Sequence, residues 1–310
     1  MAKFYKITES QEKEIFTCML CSYEALRQGD IIRHHNPKDP NRCKKRNWEE
    51  FRLIYLAAGI GERLRPLTYT TNKSLIEFEG LTITEMCLQA FSELGVTDAA
   101  IVIGHFGDMV KKRIGNQYAD IKISYIYNPF YPVTGGAHSL WLAREFFEGI
   151  PCIIMDGDHL VDNHLLYKLL KSPYENCMLV DDRQTIKEPT EEVVIVGRDG
   201  IIKYLAWSSI GDLFRMVEPK DVIGEALVIV KLGADASATL SFEVDRYLRE
   251  GKAAKLEIVE PFNRTFERHD TWYISTEGLP WIEIDFPDDL EKARNEIFPA
   301  IKQNLDKRKG

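Results

Sequence analysis

From residue 53 onward, short apolar runs alternate along the chain with segments whose apolar residues recur at helical spacing. Strands that alternate with helices are typical of βαβ units, in which a mainly parallel sheet carries helices on both faces. Ligands bind to such sheets beside the carboxyl ends of the strands. The alternation therefore predicts an α/β fold and directs the search for chemistry to the residues just after each strand.

The same pattern predicts the individual elements. The predicted strands are Leu53 to Ala58, Ala99 to Ile103, Ile121 to Tyr127, Cys152 to Met155, Cys177 to Val180, Val193 to Val196, Ala226 to Val230 and Leu256 to Val259. The predicted helices are Thr84 to Leu94, Asp108 to Arg113, His138 to Phe147, Asn163 to Lys171, Ala236 to Arg249 and a C-terminal helix from Pro287.

The composition is that of a globular protein. Of the 310 residues 45% are hydrophobic, and 40 Lys and Arg against 48 Asp and Glu give a net charge of −8. The apolar content is too high for a disordered chain, and the acidity argues against nucleic acid as a partner. Charges run through the first 20 residues, and no run reaches the ~20 apolar residues of a membrane span. We therefore expect a cytoplasmic protein without a membrane partner and with reduced cysteines.

Residues 1–52 differ from the rest, with 11 Lys and Arg against 8 Asp and Glu. Thr8 and Gln11 have capping-box spacing, and the apolar residues from Ile15 to Leu26 recur at helical spacing. This pattern predicts an amphipathic helix of about five turns, followed by a basic loop over 33–50. We expect a helical extension over 1–52 that packs on the catalytic body at 53–310 or on a second subunit of a homodimer.

The extension also contains a cluster of cysteine and histidine residues: Cys18, Cys21, His34, His35 and Cys43. Their spacing resembles that of zinc ligands. Cys18 and Cys21 lie on the predicted helix, so buried thiols are the alternative to a zinc site.

The first strand of the body runs into a loop with the sequence LAAGIGERLRPLTYTTNK, over 56–73. Gly59 and Gly61 allow backbone N–H groups to close around an anion, and Arg63 and Lys73 add positive charge. The loop therefore predicts a polyphosphate-binding site.

This loop has three alternative interpretations. A dinucleotide-binding loop would have glycine where Leu64 stands, and Pro66 would break its helix. A Walker A loop would end in GKS or GKT, which this loop does not. An ordinary glycine turn with exposed charges remains open.

Carboxylates follow another predicted strand, in the sequence IIMDGDHLVD. Asp156 and Asp158 suit Mg²⁺, which takes one or two carboxylates and completes its shell with water and phosphate oxygens. A solvent-exposed turn is the alternative. Asp285 lies just before the helix predicted from Pro287, where an acidic residue is also common for reasons of helix capping alone.

Together these segments resemble the sugar-phosphate and choline-phosphate nucleotidyltransferases, whose signature LAAGxGxRLxPLT…PK matches residues 56–73. These enzymes have a Rossmann-like fold and join a nucleoside triphosphate to a phosphorylated small molecule, releasing pyrophosphate. The resemblance implies nucleotide binding by Leu56, Ala57, Ala58, Gly59, Gly61, Glu62, Arg63, Lys73 and Gly104.

The resemblance also implies the catalytic and metal-binding residues. Arg63, Lys73 and Asp158 take the catalytic positions, and the family's EIDTPEDL segment places Asp285 beside Asp158 as a second ligand of Mg²⁺. Asp156 matches a carboxylate of some members only. Where the family has proline before the lysine, this chain has Asn72, and we expect the lysine-bearing turn to move more freely without the fixed φ of proline.

Residues 127–144, YNPFYPVTGGAHSLWLAR, resemble the acceptor-binding segment of cytidylyltransferases. Asn128, Tyr131 and Ser139 match the NxxY…SL spacing of choline-phosphate enzymes, whereas glycines 135 and 136 replace the family's paired asparagines. His138 with Ser139 resembles the GHSL of inositol-phosphate cytidylyltransferases. A histidine packed against its neighbours is the alternative for His138.

Three charged residues extend the predicted acceptor site. Glu192 falls where choline-phosphate enzymes carry a tryptophan, and a carboxylate suits a primary ammonium better than a trimethylammonium group. Arg183 or Lys187 then holds a phosphonate or phosphate. A solvated charged loop is the alternative.

The resemblance thus predicts a cytidylyltransferase that uses CTP and Mg²⁺ and transfers CMP to a small phosphonate, such as 2-aminoethylphosphonate or a hydroxyalkylphosphonate. Phosphocholine and inositol 1-phosphate are alternative acceptors. An alternative of another class is a catalytically silent binding or regulatory homologue that uses the extension as its partner surface.

Overall fold

The computed structural model describes residues 51–183, 193–207, 221–250 and 258–309, together with three short strands within the first 25 residues. The strands are β1 (Phe4–Ile7), β2 (Ile15–Cys18), β3 (Glu24–Ala25), β4 (Arg52–Ala57), β5 (Glu77–Phe78), β6 (Leu81–Thr82), β7 (Asp98–Ile103), β8 (Gln117–Tyr118), β9 (Ile121–Tyr127), β10 (Cys152–Asp156), β11 (His159–Val161), β12 (Cys177–Asp181), β13 (Val193–Arg198), β14 (Ile201–Trp207), β15 (Val222–Leu232), β16 (Trp272–Ser275) and β17 (Trp281–Glu283).

The helices are α1 (Ile83–Glu93), α2 (Gly107–Ile114), α3 (Gly136–Leu142), α4 (Arg144–Phe147), α5 (Asn163–Lys171), α6 (Ala234–Arg249), α7 (Val259–Phe266), α8 (Pro287–Lys292) and α9 (Phe298–Lys309), with a π-helical segment at Ala293–Ile297. Short 3₁₀ turns cover Glu62–Leu64, Leu67–Tyr69 and Lys73–Leu75. None of the described helices combines the length and the apolar content that crossing a bilayer requires.

Ten of the described strands form one mixed sheet. At its centre β10, β4, β7 and β9 lie side by side and parallel. β15 runs antiparallel beside β10 and connects this parallel part to β12, β13, β14 and β16. Asp156 at the end of β10 is in register with Leu56 of β4. The acidic sequence, which contains Asp156 and Asp158, and the glycine loop, which contains Gly59 and Gly61, therefore emerge from adjacent strands.

Helices cover both faces of this sheet, as the strand and helix alternation predicts. In β4, Leu53 and Tyr55 belong to the apolar cluster that includes side chains of α1, α2 and α5. Ile54 and Leu56 belong to the opposite cluster, with side chains of α3, α4, α6 and α7. The predicted Rossmann-like α/β fold is thereby confirmed.

A separate two-stranded pairing joins β11 to β17, with His159 opposite Glu283. A third apolar cluster, which includes Leu64, Ile284 and Ile301, packs the C-terminal helices beneath the glycine loop. These contacts hold the residues around position 285 beside the end of β10.

The predicted N-terminal helix is wrong where the structure describes it. β2 pairs with both β1 and β3 in an antiparallel sheet. Ile15, Phe16 and Thr17 of β2 are β-branched or aromatic residues, which favour strands, and this preference outweighs the helical spacing. The rest of the extension, including the basic loop and four of the five zinc candidates, lies outside the described residues, and the division at residue 52 stays a prediction.

Two further predictions are corrected. Val259, placed at the end of a strand over 256–259, begins helix α7, and residues 256–257 lie outside the described part. The helix predicted from His138 to Phe147 is two helices separated at Ala143. The sequence pattern does not predict seven described strands of the body: β5, β6, β8, β11, β14, β16 and β17.

Candidate active site

A cavity of about 330 Å³ opens where β4 and β10 end. The residues that line it are Leu56, Ala57, Ala58, Gly59, Gly61, Arg63, Asn72, Lys73, Ser74, Asn128, Tyr131, Thr134, Gly135, Gly136, Ser139, Asp156, Gly157, Asp158, Glu283 and Asp285. The structure thus brings together most of the predicted nucleotide, acceptor and metal residues, although their roles stay predictions.

The glycine loop is held in a tight turn. Gly61 has a φ of +66°, and a Cβ there would lie 3.0 Å from Cγ2 of Thr68 and 3.6 Å from Cβ of Lys73. The Thr68 hydroxyl donates to the Gly61 carbonyl at 2.8 Å. Only glycine combines this φ with so close an approach of the lysine-bearing turn.

Gly157 lets the acidic sequence lie directly against β4. Its N–H donates to the Leu56 carbonyl at 2.8 Å, and its own carbonyl accepts from the Tyr55 hydroxyl at 3.2 Å. A Cβ at Gly157 would lie 2.7 Å from the Leu56 carbonyl oxygen. The glycine between the two aspartates is therefore fixed by packing against backbone.

Gly157→Ala is accordingly expected to destabilise the protein by about 1–3 kcal/mol, since the added methyl forces two strand ends apart. Urea titration measures the change in the free energy of unfolding. Gly59→Ala is the matched control, because a Cβ at Gly59 would meet nothing within 4 Å. Equal stability of the two variants would contradict this account of Gly157.

Three carboxylates converge at the floor of the cavity. Oxygen atoms of Asp158, Glu283 and Asp285 all lie within 4.8 Å of one another. The side chain of Asp289 accepts from the backbone N–H of Asp285 at 3.0 Å, and the Ile284 N–H donates to the Asp158 carbonyl at 3.1 Å. The backbone of the C-terminal segment is thus fixed against the end of β10.

Two cationic side chains contact this carboxylate cluster. Lys73 Nζ lies 2.6 Å from Oδ2 of Asp158 and 2.6 Å from Oδ1 of Asp285. Arg63 pairs with the other oxygen of Asp285 and stacks on the Phe286 ring, 4.9 Å from its centroid. Cationic and carboxylate side chains therefore meet in the cavity that the glycine loop also lines.

The electrostatics of the cluster follow from burial and from the closeness of its charges. Burial raises the pKa of Asp158, but Lys73 and His159 outweigh that effect and hold this pKa well below its usual range. Burial, together with the charge of Asp158, raises the pKa of Asp156 to about 8. The pKa of Glu283 is also raised, by burial and by Asp158.

The described residues that line the cavity include four carboxylates and only two cationic side chains, those of Arg63 and Lys73. A further positive charge would stabilise the ionised cluster, and converging carboxylate oxygens suit a hard divalent cation. Asp158, Glu283 and Asp285 are the residues that fit such an ion.

Asn72 is held by hydrogen bonds, and the expectation that the lysine-bearing turn moves more freely than it would with proline stays a prediction. The Asn72 side chain is 1% exposed and makes three hydrogen bonds to backbone groups, with Ala57, His105 and Ser74. A buried amide whose hydrogen bonds are satisfied makes the local structure more rigid.

The side of the cavity predicted to bind the acceptor is built around the buried Asn128. Its amide donates to Oγ of Ser139 at 3.1 Å and to Oγ1 of Thr134 at 3.3 Å. Its Oδ1 accepts from the Phe130 N–H at 2.9 Å. This network shapes the loop before α3.

Four predicted site residues do not line the cavity. Gly104 acts through its small size, since a Cβ there would lie 2.7 Å from Cβ of Tyr131. Glu62 is exposed and pairs with Arg65 at 3.0 Å. His138 is buried between the rings of Phe130 and Trp141. Arg183 lies against Gly278, and the other two predicted acceptor residues, at positions 187 and 192, lie outside the described residues.

Sequence reasoning missed Glu283 and the role of Asn72. Glu283 is the last residue of β17 and stands two positions before Asp285. That spacing is the signal that could have found Glu283. For Asn72 no such signal exists, because its partners lie up to 33 positions away.

Comparison with known proteins agrees with this geometry. The family model described as nucleotidyl transferase matches residues 52–177. Over 265 residues the chain is 28% identical to "CMP-5'-(3-aminopropyl)phosphonate synthase" of Streptomyces rubellomurinus. The aligned region covers 81% of this chain and 40% of that protein.

Solved structures share the fold. The CTP:phosphocholine cytidylyltransferase of Streptococcus pneumoniae superposes with a TM-score of 0.60 at 20% identity, over 79% of this chain and 98% of that one. The inositol-1-phosphate CTP transferase of T. maritima gives 0.62 at 18% identity, over 81% and 96%. The chain spans about half or less of the length of the curated relatives it matches.

Proposed function

We propose that the protein is a cytidylyltransferase that joins CMP from CTP to a small phosphonate and releases pyrophosphate. The observation that carries the proposal is the meeting of the glycine loop, Arg63 and Lys73 with the carboxylate cluster in one cavity. A triphosphate requires backbone donors and cations, and a hard divalent cation requires the carboxylates. Cytidine as the base is supported by the names of the relatives described above.

In the proposed reaction an ionised oxygen of the acceptor attacks the α-phosphorus of CTP in line with the departing pyrophosphate. A P–O bond to the acceptor forms while the bond between the α-phosphorus and the bridging oxygen breaks. No general base is needed, because a phosphonate is already ionised at neutral pH. Positioning and charge stabilisation therefore supply the catalysis.

The roles of the chain's own residues follow from their places. Backbone N–H groups at Gly59 and Gly61 bind phosphate oxygens, and Arg63 and Lys73 stabilise the charge that develops on the departing pyrophosphate. Mg²⁺ held by Asp158, Asp285 and Glu283 would neutralise phosphate charge as the bond breaks.

The acceptor end of the cavity supports a small ligand. Gly135 and Gly136 present no side chains there, and Tyr131 is the only aromatic residue among the described residues that line the cavity. Recognition of a trimethylammonium group uses several aromatic faces. A phosphonate with a primary amine or a hydroxyl fits this wall better than phosphocholine does.

A pyrophosphate-release assay of the purified protein tests the proposal. CTP is expected to be the preferred nucleotide when each NTP is combined with 2-aminoethylphosphonate, a hydroxyalkylphosphonate, phosphocholine and inositol 1-phosphate. Preference for UTP or dTTP would refute the cytidylyltransferase. Binding of CTP without turnover in every pair would establish the silent homologue instead.

In the same panel the aminoalkylphosphonate is expected to exceed phosphocholine in kcat/KM by about tenfold or more. The physical reason is the loss of a charge-assisted hydrogen bond, which costs roughly 1.5–3 kcal/mol, because three methyl groups leave no donor. If Glu192 holds the amine, Glu192→Gln should shrink this preference. Equal or better efficiency with phosphocholine would restore the choline-phosphate alternative.

A further inference from the structure

We propose that Asn72 is the positioning residue of Lys73: its side-chain amide ties the lysine-bearing turn to the ends of two sheet strands and so sets where the ammonium group lies. The inference rests on the proposed function, in which Lys73 acts on the departing pyrophosphate. Asn72 itself touches no reacting atom in this role.

The hydrogen bonds of Asn72 reach three separate pieces of backbone. Nδ2 donates to the carbonyls of Ala57 at 3.0 Å and His105 at 2.7 Å. Oδ1 accepts from the Ser74 N–H at 2.8 Å. Ala57 ends β4 and His105 follows β7, so one amide joins the lysine-bearing turn to two central strands.

A second set of contacts closes the same structure. His105 Nε2 lies 2.8 Å from the Thr68 carbonyl oxygen, and the Thr68 hydroxyl donates to Gly61. The turn, the glycine loop and the segment after β7 therefore form one hydrogen-bonded unit around Asn72.

Lys73 has little freedom to compensate for a shift of this unit. Its Cβ would lie 3.6 Å from a Cβ at Gly61, and its Nζ lies 2.6 Å from a carboxylate on either side. A misplacement of about 1 Å in a catalytic group can cost up to about 100-fold in rate. Loss of the amide would also leave two backbone carbonyls without their donor.

The first test is Asn72→Asp, which keeps the acceptor for Ser74 and removes the donor to both carbonyls. Turnover at saturating CTP and acceptor is expected to fall roughly 10- to 100-fold. The matched control is Asn176→Asp. Asn176 is also buried and also joins separate backbone segments, through Asp270 and Gly233, but it does not line the cavity. Its replacement should leave turnover within about twofold, whatever it does to the melting temperature.

The decisive test is a double-mutant cycle with Lys73→Ala. If Asn72 acts through Lys73, Asn72→Asp should lower turnover strongly in the wild type and by less than about twofold in the Lys73→Ala background. Losses that multiply in the double variant would overturn the positioning role. Wild-type turnover in Lys73→Ala alone would instead refute the proposed role of the lysine, so the two failures are distinguishable.

Circular dichroism and thermal melting establish that each variant is folded before the cycle is run. Asn72→Ser, which retains a hydroxyl donor and adds no charge, replaces Asn72→Asp if the latter does not fold. If neither variant folds while Asn176→Asp does, Asn72 is a structural residue only and the inference is wrong.

Discussion

Asp158→Asn is expected to lower the rate of pyrophosphate release by at least about a hundredfold. The substitution keeps the shape of the side chain but removes a full negative charge from the carboxylate cluster, so a divalent cation loses a ligand beside the α-phosphate. The fold should persist, because Lys73 retains its contact with Asp285 and the repulsion between Asp158 and Asp156 is relieved.

Binding of Mn²⁺ alone, followed by electron paramagnetic resonance, measures the loss of the ligand without reference to activity. Asp288→Asn is the matched control, since Asp288 is an exposed aspartate in the first turn of α8. We expect weakened Mn²⁺ binding and lost turnover in Asp158→Asn and neither in the control. Wild-type turnover in Asp158→Asn would remove the metal assignment altogether.

Lys73→Ala is expected to change turnover and metal affinity in opposite directions. Turnover should fall by roughly a hundredfold, because a cation that stabilises the developing charge on pyrophosphate is gone. Binding of Mn²⁺ to the protein without nucleotide should instead tighten by on the order of tenfold, because the ammonium no longer competes for oxygens of Asp158 and Asp285. The sign of the second effect follows from the two 2.6 Å contacts.

The control is Lys302→Ala, which removes a surface lysine paired with Glu79 at 2.8 Å. It should alter neither quantity. Weaker Mn²⁺ binding in Lys73→Ala would mean that the lysine supports the metal ligands rather than competing for them, and would contradict this account.

Much of the fold could be predicted because its central strands are long, apolar and followed by distinctive loops. β4 is fully apolar after its first residue and runs into the glycine loop, so both its type and its place at the ligand-binding edge could be inferred. The carboxylates at the end of β10 could be predicted in the same way, because they directly follow the buried apolar residues of that strand. These features are local in sequence.

The features that were missed depend on contacts between distant residues. β17 is three residues long and pairs only with β11 among the described strands. So short a segment has no periodicity that could predict the strand or the position of Glu283. In the extension a helical spacing is present, but it predicts the wrong element. A pattern over few residues suits both a helix and a strand, and pairing with β1 and β3 decides the outcome.

The β11 and β17 pairing has a consequence for how the protein acquires its chemistry during synthesis. Lys73 and Asp285 are 212 positions apart, so the glycine loop and Asp158 leave the ribosome long before Glu283 and Asp285 exist. The glycine loop is thus synthesised while the carboxylate cluster is still incomplete. The three carboxylates can come together only once β17 has been synthesised and pairs with β11, so under the proposed function the chain must be made through Asp285 before it can hold a divalent cation.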